Sequence, residues 1–291
     1  MKPIVSFTMC IALGAFSVGS VVAADKSLTI GTNNWSENIT VSNLWQQLLE
    51  KQGYDVTLET TGKSVVFSAL AHSNIDVSLE VWLPNGDIQY IEPYQDRINV
   101  HDDWYGGAQD ELVVPAYLTD INTMEDLKAN AEEFVYQGEP TIIGIESGSA
   151  IAAETEEAIE HYELPFRQLN SSSPAMLASL EEAYYQEEPI AVTLWQPHWA
   201  YAEYDLKAIK DQKNAYGGGD DIMWMSRLGF SEDHPQVTAL LNDWYMSDAQ
   251  LADLMLAVER VGSPAEGVKH WISEHPELVE KWMNVTRESD S

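Results

Sequence analysis

The chain has 291 residues, 47 of them acidic and 15 basic, and a formal net charge of −32 at neutral pH. So little positive charge makes nucleic acid and anionic membrane surfaces poor partners. The acids are spread along the chain and 45% of residues are hydrophobic, so the composition is that of a folded protein with an acidic surface rather than a disordered tail. Two explanations of the acidity stand side by side: a hydration layer suited to high salt, and attraction for cationic ligands. The charge is too diffuse to aim at one site.

Residues 1–24 read as a cleavable signal peptide. Lys2 supplies the positive charge, residues 4–22 are almost wholly apolar, and Val22-Ala23-Ala24 offers small residues ahead of Asp25. The small-residue ending argues against an uncleaved membrane anchor. Cys10 is the only cysteine and lies early in the apolar run, so the mature chain has none and must be held by its core. Roughly 265 residues are enough for two domains. No second apolar run is long enough to span a bilayer, which predicts a soluble periplasmic protein.

Leu28-Thr29-Ile30-Gly31 is a short strand leading into the turn Thr32-Asn33-Asn34-Trp35-Ser36. A helix follows with Ile39, Leu44, Trp45, Leu48 and Leu49 on one face and Gly53 as its stop. A strand over residues 56–58, a helix over 65–71 and a strand over 75–81 complete a βαβαβ unit. Strand and helix alternating in this way imply a mostly parallel sheet with helices on both faces.

A second unit starts after Leu112-Val113-Val114-Pro115. Thr123 with Asp126 caps a helix, residues 141–145 form a strand, and 148–162 a helix. Ser173-Pro174 opens a further helix, and residues 190–194 close the unit as a strand. After Gly217-Gly218-Gly219 comes one more strand, at 222–225, and then a helical tail with capping boxes at Ser247/Gln250 and Ser263/Glu266. The tail is expected to pack on the first unit. Crossings at 113–117 and 216–225 make two lobes that close like a clam: residues 25–114 plus 221–291, and residues 115–220.

Two strands end alike, in Trp82-Leu83-Pro84 and Trp195-Gln196-Pro197. Proline cannot donate to a ladder, so both strands stop there. Strand carboxyl ends are where open α/β sheets bind ligands, and aromatic faces attract cations without a buried countercharge. Trp35 also follows a strand directly. The ten tryptophans exceed the six phenylalanines, which is unusual for a core. Trp45 is assigned to the core, and Trp199, Trp271 and Trp282 to helix packing. Backbone N–H groups at Asn33 to Asn38 and at Ser147 to Ile151 can take the carboxylate of a zwitterion. No metal-binding, nucleophile or phosphate-loop motif is present, so neither metal nor cofactor is expected. The histidines stand at no ligand spacing, and most are assigned to the surface.

The segments Gly31-Thr32-Asn33-Asn34-Trp35-Ser36-Glu37-Asn38, Glu80-Val81-Trp82-Leu83-Pro84, Gly144-Ile145-Glu146-Ser147-Gly148-Ser149 and Ser173-Pro174-Ala175-Met176-Leu177 occur in order. They are followed by the long run from Glu188 through Trp195-Gln196-Pro197-His198-Trp199-Ala200, by Tyr204-Asp205-Leu206-Lys207, and by residues 227–235. In these segments the chain resembles the periplasmic binding proteins of ABC importers for glycine betaine and related solutes. The resemblance implies an α/β, two-lobed periplasmic-binding-protein fold with the ligand in the interlobe cleft. It also implies a box of tryptophans around trimethylammonium, no enzymatic activity, and a membrane permease as partner to a monomer. Trp82 and Trp195 fall on the family's box positions. The third wall varies among relatives, and its two usual places carry Ser149 and Met246 here. Trp35 is the candidate replacement, with Trp244 in reserve. The candidate ligand-binding set is therefore Trp35, Trp82, Trp195, Asn34, Gly148, Ser149, Ala150, His198 and Trp244.

Glycine betaine is the expected ligand, with proline betaine, choline and carnitine as relatives of it. A choline receptor needs an acid beside the box, for which Glu80 or Asp220 can serve. In another class, a secreted carbohydrate hydrolase can also use tryptophan platforms between two carboxylates.

Overall fold

The computed structural model describes residues 26–284, so the expected signal peptide lies outside the described residues. The first unit runs β1 (Ser27–Thr32), α1 (Ser36–Lys51), β2 (Asp55–Thr60), α2 (Lys63–Ala71) and β3 (Val77–Leu83). Its strands pair in the order β2-β1-β3, all parallel. α1 buries Leu44, Trp45, Leu48 and Leu49 as its periodicity marks, leaves Ile39 half-buried, buries Val41 as well, and stops where Gly53 takes a φ of +82°.

A one-turn helix α3 (Ile88–Ile91) leads to β4 (Ile98–Pro115), much longer than the short strand ending at Pro115 that the sequence announces. The second unit follows as α4 (Met124–Ala129), β5 (Val135–Tyr136), β6 (Glu139–Gly144), α5 (Ala150–Tyr162), β7 (Arg167–Asn170), α6 (Ser173–Gln186) and β8 (Val192–Gln196). β6 is parallel to both β7 and β8, which repeats the topology of the first unit. The chain then adds α7 (Ala200–Glu203), β9 (Leu206–Ala208), β10 (Asp220–Arg227), α8 (Phe230–Asp233), α9 (Pro235–Asp243), α10 (Asp248–Val261), α11 (Pro264–Glu274) and α12 (Pro276–Met283).

β4 joins the two units. From Ile98 to Ala108 it pairs antiparallel with β10, whose other edge meets β3. From Gln109 to Val113 it pairs antiparallel with β8, and its last residues pair with β9. One strand therefore belongs to both sheets, and Gly217 to Gly219 lead the chain back at the entry to β10.

The helical tail packs on the first unit, with α10 and α11 against α1. Gly267 makes the α10–α11 approach possible, because a Cβ there would lie 2.5 Å from the Val258 Cα. Thr123/Asp126 and Ser247/Gln250 both form capping boxes. Ser263 makes no side-chain capping bond, contrary to expectation, and Pro264 occupies the first position of α11. Ser149 caps α5 and Ser172 caps α6, each next to the expected start.

Candidate functional site

The two strand-end tryptophans point into one chamber between the lobes, and Trp35 joins them there. Each is placed by its own local chemistry. At the end of β3, Asp87 folds the loop back: its Oδ2 accepts from the Trp82 N–H at 2.8 Å, and its N–H donates to the Trp82 carbonyl at 2.9 Å. Asp220 on β10 fastens the same loop by accepting from the Asn85 and Gly86 N–H groups at 2.7 and 2.9 Å. Trp195 lies on β8 opposite Asp110 of β4. Trp35 sits in the turn before α1, where the Asn38 Oδ1 accepts from the Asn33 N–H at 2.5 Å and the Thr32 hydroxyl at 2.6 Å.

All three rings are buried, and each indole N–H donates to a carboxylate. Trp35 reaches Glu146 at 2.6 Å, Trp195 reaches Glu37 at 2.8 Å, and Trp82 reaches Glu80. Two of these bonds cross the cleft in opposite directions. Trp35 and Glu37 belong to the first unit, Trp195 and Glu146 to the second. The Tyr90 hydroxyl adds a bond to the Gly148 carbonyl at 2.7 Å, and the Trp199 indole one to the Ser36 Oγ at 3.3 Å. Four hydrogen bonds thus tie the two units together around the chamber.

The chamber comprises about 340 Å³ of space between these rings, open solvent at its mouth included. Ser149, Ala150 and Ile151 line its second-unit side, at the start of α5. The first N–H groups of a helix have no intrahelical partner and carry partial positive charge, so this wall suits an anion. The same chamber is lined by the acids Glu37, Glu80, Asp87 and Asp110 together with the base Lys63.

Burial raises the pKa of Glu37 to about 7, although the Trp195 N–H and Lys63 oppose the rise. Burial, reinforced by Glu37, also raises Glu80. Burial pulls Lys63 down, but Asp87 and Glu80 outweigh it and hold the ammonium charged. Burial raises both Asp110 and its hydrogen-bonded neighbour Glu154, and Glu154 keeps its proton up to about 10.

Of the expected ligand-binding residues, Trp35, Trp82, Trp195, Ser149 and Ala150 line the chamber. Gly148 lies at its rim through the Tyr90 bond. Asn34 is exposed and lines instead a separate groove that it shares with Ser173, Leu177 and Trp199. His198 is buried behind the wall, edge-on to Trp195 at 5.0 Å, and its Nδ1 accepts from the Ala200 N–H at 3.0 Å. Burial pushes its pKa down to about 3, so it is neutral. His234 is buried too. Trp244 does not reach the chamber. It stacks on Trp104 at 4.6 Å and meets Trp45 edge-on at 5.3 Å, in the core beneath α1.

Glu37, Lys63, Asp87, Asp110 and Glu146 were not singled out by sequence. Four of them are acids among 47, with nothing local to distinguish them. Lys63 fell outside the helix expected over 65–71; only the structure makes it the first residue of α2, where the helix dipole disfavours a cation.

The family model for the substrate-binding domain of ABC-type glycine betaine transport systems matches residues 26–274. The chain is 35% identical over 153 residues to the glycine betaine/carnitine transport binding protein GbuC of Listeria monocytogenes, covering 52% of this chain and 51% of that protein. It therefore spans about half the length of that curated relative. Lactococcal OpuAC, in its closed conformation with glycine betaine, superposes with a TM-score of 0.81 at 29% identity, covering 89% of this chain and 100% of that one. ProX of Borrelia burgdorferi, a glycine/betaine/L-proline-binding protein, superposes with a TM-score of 0.81 at 28% identity, covering 88% and 96%. A choline-binding protein in complex with choline shares the fold at a TM-score of 0.80 and 23% identity, covering 89% and 92%. No helix among the described residues is long and apolar enough to cross a membrane. The family is one of transport binding proteins and not of enzymes, and this two-lobed chain belongs to it, as a substrate-binding domain of the ABC-type glycine betaine transport system.

Proposed function

We propose that the protein captures glycine betaine or a related methylated amine in the periplasm, as a monomer, and delivers it to the membrane permease of an ABC importer. The observation that carries this reading is the chamber with two poles. Three tryptophans, each donating its N–H to a carboxyl group, line it together with the first residues of α5. The aromatic pole takes a quaternary ammonium group that cannot donate a hydrogen bond. The helix start takes a carboxylate without a full countercharge. A secretory leader on residues 1–24 is part of the same proposal.

Isothermal titration with glycine betaine tests it. We expect saturable heat and a change in tryptophan fluorescence, because ligand and rings meet in the closed cleft. No heat and no fluorescence change at millimolar ligand refutes it.

A second reading, a choline-type cation, has one observation in its favour. Glu80 is buried in the chamber with its Oε2 unpartnered among the described residues, as a hydroxyl-bearing cation needs. Asp220 is less suited, since both its oxygens hold the loop after β3. Competition between choline and glycine betaine at neutral pH separates the two readings.

A further inference from the structure

One cation is already inside the chamber. The Lys63 side chain is buried, with its ammonium 2.5 Å from the Asp87 Oδ2 and 4.7 Å from the centroid of the Trp35 indole. That lies within the roughly 6 Å over which a ring attracts a cation. The Trp35 ring that lines the ligand chamber therefore serves a fixed positive charge before any ligand arrives.

A purely structural ion pair is the simpler account of Lys63 and Asp87, and three observations go beyond it. The pair faces the chamber rather than the core. Asp87 leaves its Oδ1 without a partner among the described residues, so the pair is not fully satisfied. A lysine that begins α2 works against that helix's own dipole, and local conflicts of this kind mark functional positions. A buried ion pair is also a weak way to gain stability compared with apolar residues of the same size.

The electrostatic consequence depends on the ligand. A trimethylammonium group packed on the same tryptophans is repelled by Lys63. A carboxylate at the other end of the ligand is attracted by it. In a zwitterion the two effects oppose each other, whereas in a plain cation only the repulsion acts. Two unit charges about 6 Å apart, at an effective dielectric constant of about 20, shift an equilibrium by more than about tenfold.

We infer that Lys63 is a specificity-determining residue that makes the chamber select zwitterionic methylated amines over cations carrying the same head group. This rests on the reading of the chamber as a quaternary ammonium site. It deepens that reading by naming the group that weighs the ligand's net charge.

The test is calorimetric titration of glycine betaine and of choline into the wild type, Lys63→Met and the double variant Lys63→Met/Asp87→Asn. Methionine keeps the stem over Trp35 without the charge, and the double variant avoids leaving Asp87 buried and unpaired. It decides the matter if the single variant does not fold. We expect the ratio of choline Kd to glycine betaine Kd to fall by about tenfold or more in the variants, mainly because choline binds more tightly. A ratio within twofold of wild type overturns the role of Lys63, and so does parallel weakening of both ligands, the mark of a structural pair. A wild type that binds neither ligand overturns the quaternary ammonium reading and this role with it. A wild type that binds while the ratio stays fixed removes the role of Lys63 alone.

Discussion

Replacing Trp195 with alanine removes two things at once, and their sizes can be worked from the structure. The first is one aromatic face of the chamber, since Trp195 is 3% exposed and lines it. A desolvated cation–π contact contributes about 2 kcal/mol. The second is the 2.8 Å bond from the Trp195 indole to Glu37, which joins the lobes. A hydrogen bond to a charged group contributes about 1.5–3 kcal/mol. The first loss alone weakens binding ~30-fold, and the two together weaken it by about 300- to 4,000-fold, at about 1.4 kcal/mol per decade. Trp195→Phe keeps a ring and loses the N–H, so its affinity falls between wild type and Trp195→Ala. The assay is calorimetric titration with glycine betaine, beside thermal melts to confirm folding. A well-folded Trp195→Ala protein whose Kd stays within threefold of wild type would refute the box and the latch together.

The other expectations are narrower. Trp244→Phe disturbs the stack with Trp104 and lowers stability by about 1–3 kcal/mol, yet leaves Kd unchanged, because the ring lies outside the chamber; a loss of affinity in a folded variant would return Trp244 to the site. Glu146→Ala takes the acceptor from the Trp35 N–H and weakens binding about five- to tenfold, with Glu146→Gln restoring most of it, again read by titration. Glu37 has a folded pKa of about 7, raised mainly by burial above its unfolded value. The stability linked to its proton is present at low pH and lost as pH rises through 7. Glu37→Gln should therefore gain on wild type by roughly 2–3 kcal/mol between pH 5 and pH 8, and denaturant melts with a pH-independent difference would contradict this. For the same reason a cationic head beside Glu37 should expel up to about half a proton at pH 7, seen as binding heat that varies with the buffer's ionisation enthalpy.

Much of the fold is legible in the order of strand, helix and turn signals. The apolar stripe of α1, the proline after each tryptophan strand and the Thr123/Asp126 box are local patterns, and each appears where its own neighbours dictate. The double life of β4 was not legible. Whether a strand pairs with one sheet or passes through two depends on distant partners, here β10, β8 and β9, and its own residues look alike on either side of Ala108. Ser263 shows the converse: its capping signal is present, but its side chain makes no capping bond.

The same division runs through the site. The sequence by itself determined that Trp82 and Trp195 end strands and that Trp35 follows one, because backbone chemistry acts over a few residues. Which tryptophans share a chamber was a tertiary decision: Trp35 turns into the cleft, while Trp244 is drawn into a stack with Trp104 and Trp45. The charged shell was decided the same way. Glu37 meets Trp195 across 158 positions of chain, and Glu146 meets Trp35 across 111. Among so many acids, only burial against a specific partner distinguishes a carboxylate that binds from one that merely solvates.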